Sequence, residues 1–405
     1  MMLSDYIPIV GQGTIEELRI VGSRLSGKIV QNVNSTMSGG GVAEILSRLV
    51  PLMNQLGVDA RWSVIKGNDA FFSVTKKIHN ALHGRSESLT AADFETFLDT
   101  TARNVREIEL SGDIMYIHDP QPVGLIRRKN EGDRKWLWRC HIDISRPDES
   151  VWSFLQPFIV QYDSAVFSSP YFSRPLPIRQ FLIPPSIDPI SDKNKELPAS
   201  TINSVLSRYG IPRDKPIITQ VSRFDYLKDP VGVIQAFELV RKSIDCRLVL
   251  AGGTATDDPE SEKVLSEVRD RADGNKDIHV LLIPPDSNID INALQTASTV
   301  IVQKSLREGF GLTVAEALWK GKPVVASAVG GITLQVKDKI TGLLTHGIPG
   351  TAFALRMLLT NPDYAVWLGN SGREHVRRNF LITRQLKDYL MLFLSVYNPG
   401  EILYL

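Results

Sequence analysis

The sequence predicts an α/β fold made of two domains of similar size, each built on a parallel sheet. Three observations carry this. Short apolar, β-rich runs alternate with amphipathic helical stretches along the chain, the pattern of parallel strands joined by crossover helices. The alternation breaks once, at Pro184-Pro185-Ser186-Ile187-Asp188-Pro189 and the polar stretch from Ser191 to Glu196, and then restarts. A length of 405 residues exceeds a single core and suits two or more domains of ~150 residues.

Taken in order, residues 28–33, 60–65, 113–117, 136–141, 164–167 and 180–183 read as strands of the first half. The helix after the first of them is well marked. Val42, Ile45, Leu46, Leu49, Leu52, Met53 and Leu56 recur at steps of three and four, and Gly57 stops the run. The proline-rich break reads as a linker, since each residue before a proline is pushed out of the helical region. In the second half, strands at 216–221, 247–251, 278–283, 299–303 and 323–326 alternate with helices at 230–241, 259–272, 289–296 and 313–320. Three helical stretches close the chain, the last at 383–397. The expected domains are 1–188, completed by the terminal helix at about 383–405, and 189–382.

Composition excludes several classes of function. Forty-six Lys and Arg balance 45 Asp and Glu, so neither a basic nucleic-acid binder nor an acidic disordered tail fits. Apolar runs stop well short of the ~20 residues of a membrane helix, and Met1 to Gly11 lacks the pattern of a secretion signal; a cytoplasmic protein is expected. Two cysteines, Cys140 and Cys246, allow neither a disulfide framework nor a Cys-rich zinc site. The phosphate-cradling, zinc-helix and nucleophile-elbow motifs are missing, and Gly11-Gln12-Gly13 carries Glu16 where a dinucleotide fingerprint needs glycine. No Asp-x-Asp pair occurs, which weighs against a metal-held nucleotide sugar.

Three motifs remain. Ser38-Gly39-Gly40-Gly41 lies between a strand and the first marked helix, where glycine backbone and helix N–H groups suit an anion; a plain flexible turn reads equally well. Arg223 and Lys228 share the loop after strand 216–221, at the edge where open α/β sheets take ligands. Together they suit a diphosphate, or they are two solvated charges. The third motif runs Arg307-Glu308-Gly309-Phe310-Gly311-Leu312-Thr313-Val314-Ala315-Glu316-Ala317. Glu308 sits in a loop beside Gly309 and Gly311, while Thr313 and Glu316 fit either a capping box or a ligand contact one turn into the helix.

With Glu308 and Glu316 eight positions apart, the chain resembles the retaining family 4 glycosyltransferases, which carry a Glu-x₇-Glu signature. The likeness is closer to the branch holding the trehalose glycosyltransferring synthases and trehalose phosphorylases. It rests on Val33-Asn34-Ser35-Thr36 leading into Gly39 to Leu46, on His118-Asp119-Pro120-Gln121-Pro122, and on Trp136-Leu137-Trp138-Arg139-Cys140-His141-Ile142-Asp143. The Pro184 to Pro189 stretch, Thr219 to Asp225 and Arg307 to Pro323 complete it.

The resemblance implies a GT-B fold, two Rossmann-like domains facing across a cleft, and a nucleoside diphosphate glucose as donor. By motif, Arg223 and Lys228 would neutralise the diphosphate, and Gly39, Gly40 and Gly41 would offer N–H groups to it. Glu308 would hold hydroxyls of the transferred glucose and Glu316 the ribose, with Gly309, Phe310, Gly311 and Leu312 lining the donor and the glycine N–H groups suited to its anion. His141 would bond the donor sugar and Asp119 would lie beside the acceptor, with His118 as a candidate helper. A satisfied core histidine and an Asx-type turn are the plainer readings of His141 and Asp119. No metal and no further cofactor is expected, and the partners are small-molecule sugars, with no nucleic acid or membrane; a homodimer is the expectation from relatives. The expected reaction is reversible joining of ADP-glucose or UDP-glucose to glucose as α,α-trehalose. A trehalose phosphorylase, a nucleotide-sugar epimerase and a non-catalytic sugar-nucleotide sensor are the alternatives. The stretch HVLLIPPDSNID from His279 to Asp290 is short and proline-rich for such enzymes, which leaves the nucleobase open.

Overall fold

Among the described residues every strand runs parallel to its sheet neighbours. The computed structural model describes residues 2–37, 40–253, 259–284 and 286–398. They divide into one unit of Met1–Pro185 with Ile382–Leu405, and a second of Ser186–Leu381.

In the first unit the strands are β1 (Ile29–Asn34), β2 (Asp59–Val64), β3 (Ile114–His118), β4 (Lys135–Arg139), β5 (Ser164–Phe167) and β6 (Arg179–Leu182). Their spatial order is β2-β1-β3-β4-β5-β6. Helices cover both faces, so β3 and β5 are buried along their whole length, as parallel sheets require. Trp136, Trp138, Phe71, Phe97 and Phe167 fill the core on one side. Burial of each such side chain contributes roughly 1.5–3 kcal/mol. On the other side, the rings of Tyr389 and Phe393 in the terminal helix Ile382–Tyr397 lie 5.1 and 5.5 Å from Tyr116 of β3. Arg384 of that helix donates to the carbonyls of Pro184 and Pro185 at 2.8 and 3.0 Å.

The second unit carries β7 (Ile217–Val221), β8 (Arg247–Gly252), β9 (Ile278–Leu282), β10 (Val300–Gln303), β11 (Val324–Ser327) and β12 (Leu343–Thr345). They are ordered β12-β11-β10-β7-β8-β9. The sequence reading has no strand at β12, because three residues between Gly342 and His346 show no periodicity. The helices Pro230–Arg241 and Pro259–Ala272 begin and end where the spacing predicts. Each begins at a proline, whose missing N–H costs nothing in a first turn.

Strand order reverses between β1 and β3 in one sheet and between β7 and β10 in the other. Loops leaving the carboxyl ends at such points diverge, and the opening between them is where open α/β sheets take ligands. No helix among the described residues is long and apolar enough to cross a membrane.

Candidate active site

The switch point of the second sheet brings two sequence motifs together. The loop after β7 carries Arg223 and Lys228, and the loop after β10 carries Glu308. Lys228 Nζ lies 2.6 Å from Glu308 Oε2, with the two side chains 17% and 9% exposed. Ser305 Oγ adds a hydrogen bond to the same oxygen at 3.2 Å. The Lys228 end is held in turn by Gln220, whose Nε2 donates to the Lys228 carbonyl at 2.8 Å. Arg223 stands apart: its side chain is half exposed and pairs with Asp225 at 3.5 Å. Lys304, directly after β10, is buried and pairs with Asp229, the residue that caps helix Pro230–Arg241.

Close backbone packing fixes the Glu308 loop. Gly331 N donates to the Glu308 carbonyl at 3.1 Å, and a Cβ on Gly330 would stand 1.8 Å from that same oxygen. Gly311, at φ 83°, is the N-cap of helix Leu312–Trp319, a conformation that side-chain-bearing residues rarely adopt. The cap carries no side-chain hydrogen bond, and Thr313 lies inside the helix. The capping-box reading of Thr313 and Glu316 is therefore wrong. In the first turn of this helix the Val314 N–H bonds back to the Gly311 carbonyl at 2.9 Å, and the N–H groups of Leu312 and Thr313 at its start suit an anion. Phe310 turns its ring away, onto Phe380 at 5.6 Å, so it can offer a ligand only backbone. Glu316 is buried and receives Gln295 Nε2 at 3.4 Å. Beside it, burial pushes the Lys320 ammonium down to about 8 while the Glu316 carboxylate opposes that shift.

At the carboxyl edge of the first sheet, His118 closes β3 and His141 lies two residues beyond β4, not at its end as the predicted span has it. The two ring planes lie within 20° of each other, their centres 5.4 Å apart, with His118 Nδ1 3.1 Å from His141 Nε2. Asp119 adopts φ 66°. Its Oδ1 accepts the backbone N–H of His141 at 2.8 Å, tying the ends of β3 and β4 together. Its carbonyl takes the Trp138 indole N–H at 3.0 Å. Burial pushes the Asp119 carboxyl up to about 6, against the opposing pull of the His141 N–H and the Arg139 charge. An Asx turn onto its own loop does not describe this carboxylate. The glycine turn after β1 is described in part: Gly40, at φ 82°, caps helix Gly41–Gln55, while Ser38 and Gly39 lie outside the described residues.

The sequence reading assigns no role to Arg139, Asn32, Lys304 or Ser305. Arg139 is fully buried; Nη2 donates to Ser168 at 3.1 Å, while Nε and Nη1 bond nothing among the described residues. Its signal is an arginine directly after the apolar run Trp136-Leu137-Trp138. Lys304 gives the same kind of signal at the end of β10. Asn32 and Ser305 give none.

Residues 32–174 match the family model for the trehalose synthase N-terminal domain, and residues 204–375 the model for glycosyl transferases group 1. A trehalose synthase from Rubrobacter xylanophilus is 42% identical over 402 residues, covering 96% of each chain. The chain belongs to the trehalose synthase family. A trehalose phosphorylase from Grifola frondosa shares 28% identity over 92% of this chain and 58% of its own length. In fold this member of the family is similar to an α,α-trehalose-phosphate synthase (UDP-forming) from Burkholderia xenovorans. The TM-score is 0.75 at 14% identity, over 91% of this chain and 100% of that one. The fold is GT-B, and the chain is a glycosyltransferase.

Proposed function

We propose that this chain is a retaining glucosyltransferase that joins a nucleoside diphosphate glucose, ADP-glucose or UDP-glucose, to free glucose and forms α,α-trehalose reversibly. The observation that carries this reading is the Lys228–Glu308 pair at the switch point of the second sheet. A cation and a carboxylate side by side suit a donor that is anionic at its phosphates and hydroxylated at its sugar.

Departure of the nucleoside diphosphate builds negative charge on phosphate. Lys228, Arg223 and the first-turn N–H groups of helix Leu312–Trp319 stabilise it, and such preorganised charge usually contributes more to catalysis than any other effect. Glu308, held by Lys228 and Ser305, accepts hydroxyls of the transferred glucose, and Glu316 holds the ribose. Gly40 and Gly41 offer N–H groups to the donor phosphates. Asp119 accepts the hydroxyl of the incoming glucose, and His141 bonds the donor sugar. Attack comes on the face the phosphate leaves, with the departing phosphate taking the acceptor's proton. A covalent glycosyl-enzyme trapped and weighed by mass spectrometry would overturn that route.

The deciding experiment incubates the protein with glucose and either ADP-glucose or UDP-glucose and measures trehalose by chromatography. Trehalose from one or both donors supports the reading; none from either sinks it. The phosphorylase relative motivates a second arm, trehalose with orthophosphate. Glucose 1-phosphate formed there, with no turnover by ADP or UDP, would make the chain a phosphorylase.

A further inference from the structure

The two imidazoles at the edge of the first sheet belong to a chain whose proton positions follow from its far end. Asn32 on β1 is fully buried, and its Nδ2 donates to the backbone carbonyl of Arg61 at 3.3 Å. A carbonyl only accepts, so the orientation of the amide is settled and Oδ1 faces the other way. That oxygen lies 3.1 Å from His118 Nε2, and it too only accepts. His118 Nε2 therefore carries a proton. A neutral His118 then has its lone pair at Nδ1, which faces His141 Nε2 at 3.1 Å. The contact needs one proton, and it comes from His141 Nε2. Neutral His141 is left with a lone pair at Nδ1.

The surroundings hold both rings neutral. His118 is 1% exposed, its ring lies 4.6 Å from that of Tyr116, and it pairs in register with the buried Arg139. Burial and the Arg139 guanidinium push His118 down to about 3 and His141 well below the usual histidine range. Two imidazolium rings in this contact would also set two N–H groups against each other.

We propose that Asn32 and His118 are positioning residues that fix His141 as its Nε2–H tautomer, so that His141 meets the sugar as a hydrogen-bond acceptor at Nδ1. The proposal rests on the reading that His141 bonds the donor sugar. Its partner is then a hydroxyl that gives up its hydrogen. Neither Asn32 nor His118 needs to touch substrate for this.

The test is a long-range proton–nitrogen correlation spectrum of protein labelled with ¹⁵N-histidine, assigned with His118→Gln and His141→Gln. At neutral pH both rings are expected as Nε2–H tautomers; a proton on His141 Nδ1 overturns the relay. Adding ADP-glucose or UDP-glucose, whichever supports trehalose formation, is expected to shift the His141 Nδ1 resonance without changing the tautomer. An unmoved Nδ1 with donor bound overturns the sugar contact, while trehalose formation reports separately on the reaction itself. Asn32→Leu keeps the volume and removes Oδ1. His141 should then populate both tautomers, and kcat should fall roughly tenfold, the worth of one hydrogen bond, with KM for glucose changed less. Unaltered kcat with mixed tautomers would overturn the functional role. The wild-type spectrum decides the relay even where Asn32→Leu does not fold.

Discussion

Lys228 and Glu308 stand eighty residues apart in sequence, yet their side chains meet at 2.6 Å because β7 and β10 are neighbours where the strand order reverses. Each neutralises the other in a largely buried setting, and each leaves its backbone on a different loop. If the pair binds the proposed donor, the donor meets it already in place, and little side-chain ordering remains to be done on binding.

Arg223 and Lys228 should separate in their effects. Lys228→Ala leaves the Glu308 carboxylate buried beside one hydroxyl, a change that costs about 1–3 kcal/mol of stability. Turnover should fall by about two to three orders of magnitude. Arg223→Ala removes an exposed pair with Asp225, worth at most about 1 kcal/mol, while still lowering turnover. Urea unfolding alongside initial rates checks this, and an Arg223→Ala enzyme with full activity would remove Arg223 from the diphosphate.

The capping box no longer competes to explain Glu316. Gly311 caps the helix and Thr313 sits inside it, so no cap is forfeited when Glu316 changes. Glu316→Gln should weaken nucleotide binding about tenfold, the value of a charge-assisted hydrogen bond to a diol. Calorimetric titration with ADP and UDP measures it. Normal affinity together with a large drop in thermal stability would make Glu316 a structural residue.

Gly330 offers a test that touches no side chain of the site. At φ 50°, with its missing Cβ 1.8 Å from the Glu308 carbonyl, it leaves no room for a methyl group. Gly330→Ala must move the Glu308 loop, at a cost of more than about 1 kcal/mol. KM for the donor is expected to rise while KM for glucose holds. Equal changes in both would show that the loop does not serve the donor alone.

How much of this was legible in the chain differs by residue. The Glu308 to Glu316 spacing and the Arg223 to Lys228 loop were readable because each motif is local, a strand end followed by a helix start. Their meeting was not, since it depends on strand order, and order is not written in periodicity. β12 escaped notice because three residues are too few to show alternation. The Thr313–Glu316 pattern misled because the same four-residue spacing serves caps and ligand contacts alike, and only the Gly311 backbone separates them. Asn32 was silent for a different reason: its partner His118 lies on the neighbouring strand, beyond Tyr116, the residue that Asn32 faces in register.

Asp119 should trade stability for activity. Its carboxyl titrates near 6 in the folded chain, raised chiefly by burial, against about 3.9 when unfolded. Between those values the folded chain binds the extra proton, so this group favours folding at low pH, and that contribution is lost as pH rises through 6. At neutral pH the ionised carboxylate costs on the order of 1–3 kcal/mol, discounted for its partial exposure. Asn at this position keeps an oxygen for the His141 N–H and sheds the charge. Asp119→Asn is therefore expected to raise Tm at pH 7.5 by several degrees, while at pH 4 the two proteins converge. Trehalose formation should fall by more than about a hundredfold, and in the unmodified enzyme kcat/KM should drop tenfold per pH unit below about 6. Differential scanning fluorimetry across pH, with rates measured in parallel, checks both halves. An Asp119→Asn protein less stable at pH 7.5 than at pH 4, relative to the parent, would show that the carboxylate is held by attraction and not strained by burial.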